Sequence, residues 1–71
     1  MLRLDRRDGQ YVILEDRVTG DILGEFKVGC SKGQEIKLFF DMDDDINIVR
    51  EEVFFKEPQR LHKIAQWRNR E

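Results

Sequence analysis

The sequence is short of most devices that staple a small protein. It has one cysteine, Cys30, and one histidine, His62, so no internal disulfide forms and no structural zinc site can be built unaided. It has no dominant charge: 13 Lys and Arg face 15 Asp and Glu, a net charge of −2, so only local patches can argue for or against nucleic acid. No apolar run approaches the ~20 residues that span a bilayer. The segment Met1-Leu2-Arg3-Leu4-Asp5 carries charges where a signal peptide needs an apolar core, which predicts a cytoplasmic protein, and the lone thiol agrees with a reducing compartment. Catalytic arrangements are also missing. His62 neighbours Arg60 and Lys63, Cys30 sits in a loop with no partner in view, and the expectation is not an enzyme, with no cofactor and no metal.

What is present is one domain over residues 1–71. A chain this short buries only about 60% of its unfolded surface, so a partner subunit is the staple left, and a homodimer is the default. Leu2 and Leu4 alternate with Arg3 and Asp5 as a half-buried strand, Asp8-Gly9 signals a hairpin, and Tyr11-Val12-Ile13-Leu14 returns. Glu15-Asp16-Arg17 reads as the next turn. Val18 to Leu23 reads as a third strand, with Gly20 as a bulge or close approach. Residues 24–34 carry three glycines and read as a loop, or as a hairpin extended through Phe26-Lys27-Val28. Glu35-Ile36-Lys37-Leu38-Phe39-Phe40 alternates most clearly, and the acidic cluster Asp41 to Asp45 turns it into Ile46 to Val49.

Pro58 then opens a helix over about residues 58–70, with Leu61, Ile64 and Ala65 on one face and Trp67 at its margin. The fold class is therefore mostly β: five short antiparallel strands over about residues 1–50 and a C-terminal helix. Thin sheets with two edges invite pairing with another chain. Two copies exchanging first and last strands would make a β-barrel-like, strand-interleaved homodimer.

The chain is organised around Ile46-Asn47-Ile48-Val49-Arg50-Glu51-Glu52-Val53, where a strand ends in a guanidinium. A rigid strand fixes the arginine backbone while the head stays in water. The other arginine-bearing strand end, Arg6-Arg7, lies at the opposite terminus, and the two ends are expected to meet as one basic edge. Arginine suits phosphates and bases through bidentate bonding and stacking. The alternative is three solvated arginines paired with Asp5, Asp8, Glu51 and Glu52, as surface ion pairs commonly are. Asp41, Asp43, Asp45, Asn47 and Glu52 fall at positions one, three, five, seven and twelve of a calcium loop. Ile46 replaces its essential glycine and a strand pattern precedes it, so the segment reads as an acidic turn. Met42, Phe39 and Phe40 read as core or dimer interface.

Met1-Leu2-x-Leu4-x-Arg6-Arg7-x-Gly9-Gln10 and Ile48-Val49-Arg50-Glu51-Glu52-Val53 resemble the carbon storage regulator (CsrA/RsmA) family of bacterial post-transcriptional regulators. Val18-Thr19 and Ile22-Leu23-Gly24 also fall in register. The similarity covers about residues 1–55, with a short insertion in the 24–32 loop. The resemblance implies dimerisation by interleaved first and last strands. It also implies binding of GGA-containing loops of messenger RNA leaders to control translation or transcript stability. It implies two equivalent sites per dimer, each joining Leu4, Arg6 and Arg7 on the first strand of one protomer to Ile48, Val49 and Arg50 on the last strand of the other, with Arg50 dominant and strand backbone reading base edges. It further implies antagonism by small decoy RNAs or by a protein, a flagellar assembly factor.

The chain departs from the family where Gly-x-x-Ala-Pro usually precedes the last strand, reading Phe39-Phe40-Asp41-Met42-Asp43, and has Val49 where a histidine often stands. Asp43, Asp44 and Asp45 put negative charge beside the RNA path, which weakens phosphate contacts. The runner-up reading is a regulator-like scaffold without RNA that binds protein through the inserted loop, the Phe39-Phe40 region or the Trp67 helix.

Overall fold

A computed structural model describes residues 1–70. Strand β1 (Leu2–Arg7) pairs antiparallel with β4 (Glu35–Phe40) as a two-stranded ribbon. Strands β3 (Ile22–Lys27), β2 (Tyr11–Asp16) and β5 (Ile46–Arg50) form a second antiparallel sheet with β2 in the centre. A short helix α1 (Glu51–Phe54) follows β5 directly, and α2 (Pro58–Arg68) closes the fold. The expected mostly β chain with five antiparallel strands and a C-terminal helix is what forms. Among the described residues no helix is long and apolar enough to cross a membrane.

The Asp8-Gly9 turn forms, with Gly9 at φ 85° and Gln10 N–H donating to Arg7 C=O at 3.1 Å, but it does not join a hairpin. Gly9 N–H donates to Val28 C=O and Val28 N–H to Gln10 C=O, both at 2.8 Å, so the chain beyond the turn is captured by the end of β3. β1 pairs with β4 instead because that register sets Leu2, Leu4 and Arg6 opposite Phe40, Leu38 and Ile36. One continuous inner face results, as a period-two pattern requires.

The third strand begins later than the sequence pattern suggests. Asp16 Oδ1 accepts from the N–H groups of Val18 (2.8 Å) and Thr19 (3.1 Å), which holds both in a turn and leaves Val18 exposed. Asp16 itself, with Glu15, continues β2. Gly20 is a turn residue at φ 77°; the bulge lies elsewhere, where Leu14 faces Gly24 but Glu15 faces Ile22. The extended alternative for Phe26 and Lys27 holds, since both belong to β3, and the loop after it includes a buried Val28.

Three layers follow. Across the sheet, Ile13 packs with Phe54 and Ile64, flanked by Ile22, Val49, Phe55 and Trp67. On the opposite face, Phe26 meets Phe40 of the ribbon at 6.0 Å between ring centroids, and Val12 is fully buried. Each such side chain contributes roughly 1.5–3 kcal/mol when fully buried.

Helix α2 starts at Pro58, with Glu57 extended (φ −103°, ψ 122°) as the residue before proline must be. Its buried stripe differs from the expected one: Leu61 and Ala65 face outward, while Arg60, Ile64 and Trp67 turn in. Polar anchors set this rotation. Arg60 donates to both oxygens of the buried Glu15 (2.9 and 3.2 Å), Lys63 Nζ donates to Gly20 C=O (2.8 Å), and Arg68 forks onto Glu25. Arg68 also lies over the rings of Tyr11 and Phe55, 4.8 and 5.5 Å from their centroids.

Candidate nucleic-acid groove

Among the described residues β1 pairs with β4 alone and β5 with β2 alone, so each has one edge outside any ladder. The ribbon brings these two strands to opposite sides of one groove of about 400 Å³, lined by Leu2 and Leu4 from β1 and Ile48, Val49 and Arg50 from β5. Arg60 of α2 stands at its far wall. Its lining mixes aliphatic Leu2, Leu4, Ile48 and Val53 with Asn47, Arg50 and Arg60, which suits a flat, polar-edged ligand held by backbone and by cations.

Four of the sequence-derived contacts therefore share a site: Leu4, Ile48, Val49 and Arg50. Arg50 is exposed and makes no ion pair among the described residues. The other two are placed differently. Arg6 is 1% exposed on the inner face of the ribbon, and its two terminal nitrogens donate to the two carboxylate oxygens of Glu52, each at 2.9 Å. This bond holds the Glu52 carboxyl below the usual carboxylate range, against the opposing cost of desolvation. Arg6 Nε is buried and has no hydrogen-bond partner among the described residues.

Arg7 points to the opposite, outer face, exposed, with Nε 3.7 Å from Glu35. The ends expected to come together from two protomers here lie together within one chain. They meet through an ion pair that neutralises Arg6, so the edge is less basic than the arginine count implies.

Sequence reasoning places Glu52 as an acidic neighbour of the arginines and at the last position of the calcium-loop spacing, not as the specific partner of Arg6, and leaves Arg60 out of the site. Glu52 follows a strand at the start of a helix, where the dipole favours carboxylates, and that is the signal the sequence offers. Glu51 serves the central strand instead, its carboxylate accepting from Tyr11 N–H at 3.2 Å. The calcium spacing is not assembled, because Glu52 is turned to Arg6 while Asn47 donates to Glu15 and accepts from Arg17.

The acidic turn borders the groove. A second hollow of about 340 Å³ shares Leu2, Asn47 and Ile48 with it and is lined by Asp41, Asp43 and Asp44 together with Met1 and Met42. Phe40 is buried as core, whereas Phe39 is 62% exposed. Comparison with known protein families, curated proteins and solved structures finds no match to the chain.

Proposed function

We propose that this chain is an RNA-binding post-transcriptional regulator that holds a GGA-containing loop of a messenger RNA leader in the β1/β5 groove. The observation that carries the reading is a groove lined jointly by β1 and β5, each an edge strand, with Arg50 on its lining and in no ion pair among the described residues. Unstacked bases present polar edges that backbone N–H and C=O groups read, and a guanidinium takes phosphate or base. The choice of GGA comes from the sequence resemblance to the carbon storage regulator family. Leu4, Ile48, Val49 and Arg50 make the contacts, while Arg6 positions β1 through Glu52. Arg7 lies outside the groove and acts on flanking RNA.

The reading includes a homodimer in the cytoplasm. The β1·β4 and β2·β5 ladders that form within one chain use the same residue pairs when formed between two chains, so strands exchange at little cost. Light scattering of the purified protein tests this, and a monomer at all concentrations overturns the exchanged arrangement.

A gel-shift titration with a GGA-loop hairpin tests the RNA reading. Binding that Arg50→Ala leaves unchanged eliminates the site. A second reading is a regulator-like scaffold that has given up RNA for a protein partner. Neutralisation of Arg6 by Glu52 and the carboxylates of Asp41, Asp43 and Asp44 along the continuation of the groove favour it. Affinity capture from cells that yields one stoichiometric protein and no RNA selects it.

A further inference from the structure

The ribbon has an outer face that takes no part in the groove. Arg3, Asp5 and Arg7 alternate outward along β1, and Glu35, Lys37 and Phe39 along β4, in the cross-strand pairs Arg3–Phe39, Asp5–Lys37 and Arg7–Glu35. Phe39 is 62% exposed, near the end of a hydrogen-bonded strand, while its neighbour Phe40 fills the core. Its cross-strand partner Arg3 is held in place by a fork onto Asp5, at 3.1 and 3.0 Å. Each member of that pair stabilises the other's charged form. Lys37 makes no ion pair among the described residues.

An aromatic ring left bare on a strand, with one cation across the ladder and another two residues back along its own strand, has a restricted set of complements. A protein interface would need a contiguous apolar patch around it, and here the same face supplies Arg3, Lys37 and Asp5 instead. A nucleotide satisfies both demands, since its base covers the ring and its phosphate meets the cations. The three cations of the face exceed its two carboxylates, Asp5 and Glu35, which favours a polyanion.

We infer that Phe39 is a stacking platform for an unpaired nucleotide flanking the bound RNA loop, with Arg3 and Lys37 receiving its phosphate. This rests on the RNA reading of the groove and extends it. β1 is the wall between the two surfaces: Leu2 and Leu4 face the groove and Arg3 faces away from it. Single-stranded RNA leaving the groove over the free edge of β1 meets Arg3 first and Phe39 one strand spacing, about 4.8 Å, behind it.

The experiment compares two RNAs, a bare GGA-loop hairpin and the same hairpin with short single-stranded extensions, against the wild type, Phe39→Ala, Phe39→Leu and Phe39→Tyr. Stacking of one base gives a loss of about 5- to 100-fold for Phe39→Ala on the extended RNA and none on the bare hairpin. Phe39→Leu, apolar but without a π-face, loses nearly as much, and Phe39→Tyr retains binding. Thermal melts confirm that each variant is folded.

Unchanged affinity of Phe39→Ala for the extended RNA overturns the inference while leaving the groove standing. A Phe39→Ala protein that changes oligomeric state, or loses a co-purifying protein, also overturns it and reassigns the face to protein contact. Absence of wild-type binding to either RNA removes the groove reading and the platform together.

Discussion

Arg6 and Glu52 meet as two planar groups in register, Nη1 to Oε2 and Nη2 to Oε1, joining the first strand to the helix that follows the last. The guanidinium is buried while the carboxylate is half exposed, so the pair is unequal: losing Glu52 strands a charge that water cannot reach. Glu52→Gln is expected to lower the unfolding free energy at neutral pH by about 1–3 kcal/mol, given the partial exposure of the acid. The Glu52 pKa is depressed in the folded protein, so its contribution is complete above the ordinary carboxylate range and disappears as pH falls through the folded value. Urea unfolding at pH 7 and at about pH 3 checks both parts, and a Gln variant as stable as the wild type at pH 7 contradicts the first.

Arg50 gives the opposite expectation. It is exposed and makes no ion pair among the described residues, so Arg50→Ala should leave stability within about 0.5 kcal/mol. In a hairpin titration it should cost about 10- to 100-fold in affinity, the range of a charge-assisted hydrogen bond. A large fall in melting temperature would show instead that Arg50 serves the scaffold.

The strands are legible where alternation is long. The pattern gives Glu35 to Phe40 its observed bounds, and Ile36, Leu38 and Phe40 do turn inward. Pro58 fixes the start of α2 for the same local reason, a ring that presets φ. Pairing is not legible, because the Asp8-Gly9 turn is compatible with either a hairpin or a crossing between sheets, and Val28, 19 residues past Gly9, decides between them. Nor can the rotation of α2 be read: Arg60 looks like a solvent residue until the buried Glu15 is placed beneath it. The groove follows from the two end segments. Burial of Arg6 is hidden, since an arginine at an alternating position signals water unless its partner is known.

Gly20 and Gly9 both take positive φ, 77° and 85°, but only one is crowded. A Cβ at Gly20 would lie 2.7 Å from Lys63 Nζ, whereas one at Gly9 meets nothing within 4 Å. Gly9→Ala should therefore cost about 1 kcal/mol, the left-handed strain alone. Gly20→Ala should cost about 1–2 kcal/mol, because Lys63 must also move and its bond to Gly20 C=O weakens. In a Lys63→Ala background the two glycine substitutions should become equal, and denaturant midpoints of the four variants test this.

The acidic turn sets a test that separates electrostatics from shape. Asp43 C=O accepts from Ile46 N–H at 3.0 Å and Asp45 C=O from Arg17 N–H at 2.8 Å, so backbone rather than carboxylate holds the turn. Asp43 and Asp44, with Asp41 and the cation Arg17, line the hollow that continues the groove. Converting Asp43 and Asp44 to Asn keeps shape and removes two charges from the path of any polyanion. RNA affinity of the double variant should rise severalfold at about 0.05 M salt, and the gain should shrink toward 1 M, where screening shortens the Debye length to about 3 Å. Repulsion that salt screens makes the wild-type dependence of log K on log salt shallower, so the variant's slope should be steeper. Arg50→Ala should instead flatten it by about one phosphate contact. Opposite slope changes place anionic backbone along both the arginine lip and the acidic hollow; an unchanged slope in the Asn variant means that bound RNA never reaches the turn.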